Sequence, residues 1–122
     1  MTVTDAIWAQ IEPDVYIARD QFERCLSEWE IEAVEIDGAL AFAGLTRGPE
    51  FHFASFDTGA QITRDMIRSR LTPIMARHGF VTTRTPTEGM DRQHRFNRAF
   101  GFKVAGYDEF FTHYRLEAPP CQ

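Results

Sequence analysis

Three arginines, Arg92, Arg95 and Arg98, recur at every third residue just before the segment Ala99-Phe100-Gly101-Phe102. That spacing fans them along one side of a helix. Guanidinium groups in a row offer planar, bidentate donors to phosphate or carboxylate. They are the candidate partner-binding residues, for a cofactor phosphate, a nucleic-acid phosphate or an acidic protein surface. The competing reading is a solvated face opposite Phe96 and Phe100. A second titratable group surrounds one predicted strand, with His52 on it and Glu50 and Asp57 flanking it. A carboxylate becomes a base only through burial or a like charge nearby, so plain strand-face and turn roles compete with chemistry here. The four histidines (52, 78, 94 and 113) show no H-x-x-x-H spacing, and no C-x-x-C occurs, so no metal site is expected. Cys25 reads as a core residue on the apolar face of a helix rather than a nucleophile.

These groups need a scaffold. A chain of 122 residues with 43% hydrophobic residues and 11 Phe can bury a core of its own. We expect one domain over residues 1–117 and a tail over 118–122. No apolar run reaches membrane-spanning length. The first residues lack the basic and apolar regions of a secretory signal, so Cys25 and Cys121 are expected as reduced thiols in the cytoplasm. Net charge is −5, unevenly placed: residues 1–60 hold 12 acids and 3 Arg (−9), residues 61–122 hold 10 bases and 6 acids (+4). The asymmetry suggests an anionic partner for the second half, or opposite faces that are simply solvated. Overall acidity argues against a general DNA binder.

The periodicity predicts the elements in turn. Thr4-Asp5 caps a short helix carrying Ile7, Trp8 and Ile11. A second helix over about 19–29 carries Phe22, Cys25, Leu26 and Trp29. Asp37-Gly38 lies between two alternating apolar runs, the signature of a type I′ hairpin. A third strand follows over 51–56. Thr63 caps a long helix that Gly79 closes, with a kink expected at Pro73. A strand runs over 80–85, the basic helix over about 91–100, and a closing hairpin over 102–116 turns at Tyr107-Asp108-Glu109. The third and fourth strands, joined through a helix, should be parallel or splayed neighbours with a right-handed connection.

This order, with Arg77-His78-Gly79-Phe80-Val81 at one helix-to-strand junction and Arg95-Phe96 through Gly101-Phe102 at another, resembles the GNAT N-acetyltransferase superfamily over residues 31–116. The segment Phe96-Asn97-Arg98-Ala99-Phe100-Gly101-Phe102 and the small size also resemble short GNAT-like proteins of tailed bacteriophages, some of them internal virion proteins. The resemblance implies an α+β fold with a mixed, mostly antiparallel central sheet, splayed in the middle and flanked by helices. It implies acetyl-CoA as cofactor. Ala54, Ser55 and Phe56, with the strand near Val81–Thr83, would hold the pantetheine arm. Gly59, Thr63, Arg64 and Arg68 would face the pyrophosphate. Glu50, His52 or Asp57 would serve as base, with Tyr107, Tyr114 or His94 as substitute acids.

The departures from the family pattern are specific. Its phosphate loop carries a second glycine after Gly59, where this chain has β-branched Ile62 and Thr63. Counting back from Gly101-Phe102 puts Met90 where the family has Asn. It also puts Asn97 where the family often has the Tyr that protonates the departing thiolate, and an amide cannot give up a proton near neutral pH. The expectation is therefore a GNAT-like domain with a degenerate catalytic site, acting as a structural or binding module, in the host cytoplasm or a phage particle. It would have a protein partner or second copy and no membrane contact. The alternative is an active acetyl-CoA-dependent N-acyltransferase with rearranged acid and base.

Overall fold

Thr2 begins the first helix by accepting a hydrogen bond from the Asp5 backbone N–H (3.1 Å), while the Asp5 carboxylate accepts from the Thr2 N–H (2.9 Å). This reciprocal box satisfies two donors that a helix N-terminus leaves open. The cap is thus Thr2, with Asp5 as its partner, and not Thr4-Asp5. Helix α1 (Val3–Ile11) continues into a 3₁₀ turn (Glu12–Asp14), so the first residues form a helix rather than an opening strand. The computed structural model describes residues 2–14, 16–56 and 61–118.

The elements that follow are α2 (Arg19–Leu26), β1 (Glu30–Ile36), β2 (Ala39–Arg47), β3 (Glu50–Ser55), α3 (Arg64–His78), β4 (Phe80–Pro86), α4 (Asp91–Phe100), β5 (Lys103–Tyr107) and β6 (Phe111–Glu117). The strands form one six-stranded mixed sheet in the order β1-β2-β3-β4-β6-β5, giving the expected α+β class. Two compact units divide the chain, Met1–Arg47 with Phe53–Ile62 and Gly48–His52 with Thr63–Gln122.

In the first unit, Ile7, Phe22, Leu26 and Ala43 make a small core, flanked by Trp8, Ile31, Leu45, Ala54 and Phe56. Trp8 packs on Phe22 with ring centroids 5.1 Å apart. Helix α2 ends at Leu26, so Trp29 lies outside it, with the Arg47 guanidinium over its ring. Cys25 is exposed, which corrects its expected place in the core. An eight-residue helix buries a narrow stripe; Phe22 and Leu26, one turn apart, occupy it, and Cys25 falls to the flank. The β1–β2 hairpin turns through Asp37 (φ 54°) and Gly38 (φ 80°), the two left-handed residues a type I′ turn requires.

In the second unit, Thr63 Oγ1 accepts from the Met66 N–H (3.2 Å) to start α3, and Gly79 at φ 82° ends it. The helix continues through Pro73 and buries Ile67, Leu71 and Ile74. Strand β4 pairs antiparallel with β6 from Phe80↔Glu117 to Pro86↔Phe111. Its parallel register with β3 is set at Glu50↔Thr82, beside a Thr82 N–H to Pro49 carbonyl bond of 2.8 Å. Strand β3 is divided: its first residues are tied to β4, whereas its last residues belong with the first unit. There the Gln10 side chain donates to the Ser55 carbonyl (2.6 Å), and the Phe56 N–H donates to the Ala41 carbonyl (2.9 Å). Asp108 closes the β5–β6 turn by accepting from the N–H groups of Phe110 and Phe111.

Candidate functional site

Helix α4 turns a polar face inward. His94 and Asn97, three residues apart, are its buried residues, while Phe96 and Phe100 are half-buried and pack on each other at 5.7 Å. The core face expected of the two phenylalanines is therefore taken by an imidazole and an amide. A buried polar group is tolerated only when its hydrogen bonds are made, and every polar atom of both side chains has a partner. The Asn97 amide donates to Thr85 Oγ1 (2.9 Å), and its carbonyl accepts from Gln93 Nε2 (3.0 Å). Asn97 is 2% exposed and Thr85 4%.

His94 Nε2 lies 2.8 Å from the Pro86 carbonyl oxygen, which can only accept, so Nε2 carries the proton. In the neutral ring Nδ1 is then the acceptor, and the buried Tyr114 hydroxyl donates to it at 2.5 Å. The Thr87 and Thr112 hydroxyls, 3.0 Å apart, extend this polar layer between β4, α4 and β6.

Above the layer is a groove of about 450 Å³. His94, Tyr114, Thr87 and Thr112 contribute to its lining, Arg95, Arg98 and Asp91 come from α4, and Val104 and Tyr107 from β5. Of the three arginines singled out by spacing, all are exposed and two line this groove; Arg92 does not. Tyr107, 70% exposed, stands in its lining.

A second polar group joins β3 and β4. The Glu50 carboxylate accepts from His52 Nε2 (2.6 Å) and sits 3.3 Å from Arg84 Nε. With Nε2 donating to a carboxylate, the neutral imidazole has Nδ1 as acceptor, 3.4 Å from the Thr83 hydroxyl. A histidine oriented by a carboxylate on one nitrogen is the arrangement that general bases use. His52 is half-buried, not a residue turned fully outward.

At the start of α3, Thr63 spends its hydroxyl on the cap, Arg64 Nη2 reaches the Ala99 carbonyl (3.4 Å), and Arg68 pairs with Asp65 and lies over the Phe100 ring. Ala54 and Phe56 pack against the first unit's core; Ser55 is exposed. Asp57 and Gly59 lie outside the described residues. The structure thus brings His94, Arg95, Arg98, Tyr107 and Tyr114 to one groove, and leaves His52 with Glu50 on a separate strand pair. Sequence reasoning missed Thr85, Gln93 and Arg84. A threonine alternating on a strand and a glutamine four residues before Asn97 were the available signals, yet neither says which hydroxyl or amide faces inward. Among the described residues no cluster of His, Cys, Asp and Glu is fit to hold a metal ion. Among them too, no helix is long and apolar enough to cross a membrane.

The fold is that of GNAT N-acetyltransferases. The chain aligns with the ribosomal-protein-S18-alanine N-acetyltransferase from Escherichia coli over 100% of its own length and 93% of that chain, with TM-score 0.66 and 14% identity. An aminoglycoside 6'-N-acetyltransferase complexed with coenzyme A gives 0.68 at 12% identity, covering 98% and 91%. An acetyltransferase from Bacillus subtilis in complex with CoA gives 0.62 at 12% identity, covering 84% and 85%. No family model matches the sequence, and no curated protein matches it.

Proposed function

We propose that this chain is a GNAT-fold binding module whose acetyl-transfer machinery is degenerate, able to take an acyl-CoA but not to turn it over by the family's usual acid. The observation that carries this reading is Asn97. It stands where the resemblance puts the thiolate-protonating Tyr, and both ends of its amide are committed to Thr85 and Gln93. An amide in that state neither gives up a proton nor turns toward a ligand without breaking buried hydrogen bonds. Thr63, Arg64 and Arg68 at the start of α3 are the residues that would hold the cofactor's phosphates; the exposed arginines fit that charge. The bound cofactor would supply an acyl thioester. The sequence resemblance of the Phe96–Phe102 segment to phage proteins supports a place in a phage particle or in the host cytoplasm. The partner there is a protein or a second copy of this chain.

The second reading is an active N-acyltransferase, favoured by one observation, the Glu50-oriented His52. His52 would take the proton of the acceptor amine, while the departing thiolate would draw its proton from a group other than Asn97. One experiment separates the two. Thermal unfolding with and without acetyl-CoA reads binding, because a ligand at about 100 times its Kd stabilises by roughly 2.7 kcal/mol. Release of free thiol in the presence of a panel of amines reads turnover. A Tm rise of several degrees with no thiol release supports the binding module. Thiol release that His52→Gln abolishes overturns it in favour of the enzyme. No Tm shift at millimolar acetyl-CoA removes the cofactor from both readings.

A further inference from the structure

We propose that the groove between α4 and the β5–β6 hairpin is a binding site for a small organic oxyanion, a carboxylate or phosphate carried on an apolar or aromatic body. At about 450 Å³ it has the size of a small-molecule site. Its chemistry is two-sided. Arg95 and Arg98 enter from α4, and neither guanidinium makes a hydrogen bond or ion pair among the described residues. With Asp91 as the acid in the lining, the charged residues there sum to a positive balance. Paired guanidiniums favour oxyanions because their N–H forks match two oxygens at once.

The opposite side is apolar. Val104 is 43% exposed and Tyr107 70%, on a strand at the end of the sheet. An aromatic or aliphatic body laid there would recover exposed apolar area. The floor supplies the remaining polar contact. Thr87 and Thr112 share one hydrogen bond, so one hydroxyl proton and several lone pairs remain for a ligand. His94 and Tyr114 are satisfied by each other and by Pro86, which holds the floor rigid. This site uses none of Thr63, Arg64 and Arg68, the residues proposed to hold the acyl-CoA phosphates, and it stands whether or not acetyl-CoA binds.

The test is titration of the full chain, followed by amide NMR shifts, with phenyl phosphate, benzoate and the neutral benzyl alcohol. For fragments of this size an oxyanion site gives a Kd of about 1–10 mM. The expected result is binding of at least one anion, with shifts centred on Thr87, Arg95, Arg98 and Tyr107, and benzyl alcohol weaker by at least about tenfold. The stronger of the two anions identifies the head group as phosphate or carboxylate. The double variant Arg95→Gln, Arg98→Gln should lower anion binding to the level of the alcohol without changing Tm, since both side chains are exposed and unpaired. Tyr107→Ala should weaken phenyl phosphate while leaving inorganic phosphate unchanged. Equal binding of the alcohol, insensitivity to the double variant, or no binding of any probe at about 20 mM overturns the proposal. So does saturation by a glutamate-rich peptide with none of the small probes bound, which would make the groove a protein contact.

Discussion

Replacing Asn97 with Ala separates a structural amide from a catalytic or ligand-facing one. The substitution removes the donor to Thr85 Oγ1 and the acceptor for Gln93 Nε2. Thr85 is 4% exposed, so water cannot readily replace the amide, and an orphaned buried hydroxyl costs about 1–3 kcal/mol. Gln93 is half-buried and can turn to solvent, so its loss adds little. The void left by three heavy atoms adds about 1 kcal/mol at roughly 24 cal/mol per Å³. Alanine's better helix propensity returns about 0.6 kcal/mol. The net cost is about 2 kcal/mol, and at about 4 °C per kcal/mol for a domain of this size Tm should fall by roughly 8 °C. Urea unfolding followed by the fluorescence of Trp8 and Trp29 measures it, alongside the acetyl-CoA-induced Tm shift of each protein. A loss of stability with an unchanged ligand-induced shift is expected. Unchanged stability with an altered response to acetyl-CoA would show that Asn97 faces the ligand, and would refute the argument from its hydrogen bonds.

Two further substitutions test the elements around the site. Gly101, the C-cap of α4, has φ 115°, and a Cβ there would meet Leu116 Cδ1 at 3.3 Å, so Gly101→Ala should cost about 1–2 kcal/mol and lower Tm by several degrees; an unchanged Tm would show that the helix end relaxes freely. Asp108 is held down to about 2 by the His113 side chain, then by the Phe110 and Phe111 N–H groups. A carboxyl whose folded pKa lies below its unfolded value contributes stability above that unfolded value, and loses it as pH falls through the folded one. The wild type should therefore lose stability more steeply than Asp108→Asn between about pH 4 and pH 2, and parallel profiles in that window would contradict the assignment.

The parts of the fold legible in the sequence were those fixed by local backbone chemistry. Asp37-Gly38 demanded a left-handed turn, Thr63 and Gly79 bracketed α3, and Gly101 ended α4; each of these acts within a few residues of itself. What misled was choice among equivalents. Thr2, Thr4 and Asp5 are all capping residues, and only the three-residue spacing of Thr2 to Asp5 allows the reciprocal box. Helical periodicity placed Cys25 beside Phe22 and Leu26, but a short helix offers too little width to bury all three. On α4 hydrophobicity pointed to Phe96 and Phe100, yet the inward face carries His94 and Asn97. Their burial depends on partners at Thr85, Pro86 and Tyr114, twelve, eight and twenty residues away. No local pattern announces such partners. The candidate site was legible as an inventory, with Arg95, Arg98, Tyr107, Tyr114 and His94 all noticed, but not as one groove.

The same hydrogen bonds link the departure at Asn97 to the groove. The amide and the imidazole on α4 anchor the helix to β4 and β6 through side chains, and so fix which residues of α4 point the other way. Positions 95 and 98 are outward because 94 and 97 are inward. Substituting either inward residue should therefore disturb the groove's arginines as well as stability, whereas substituting the arginines should leave the buried layer intact. An acid at position 97 would need a mobile proton, whereas the Asn97 side chain is tied to Thr85 and Gln93. Rigidity of that kind favours binding, because a pre-organised site loses less entropy when a ligand arrives. The buried pair His94 and Asn97 and the exposed pair Arg95 and Arg98 are then two faces of one helix.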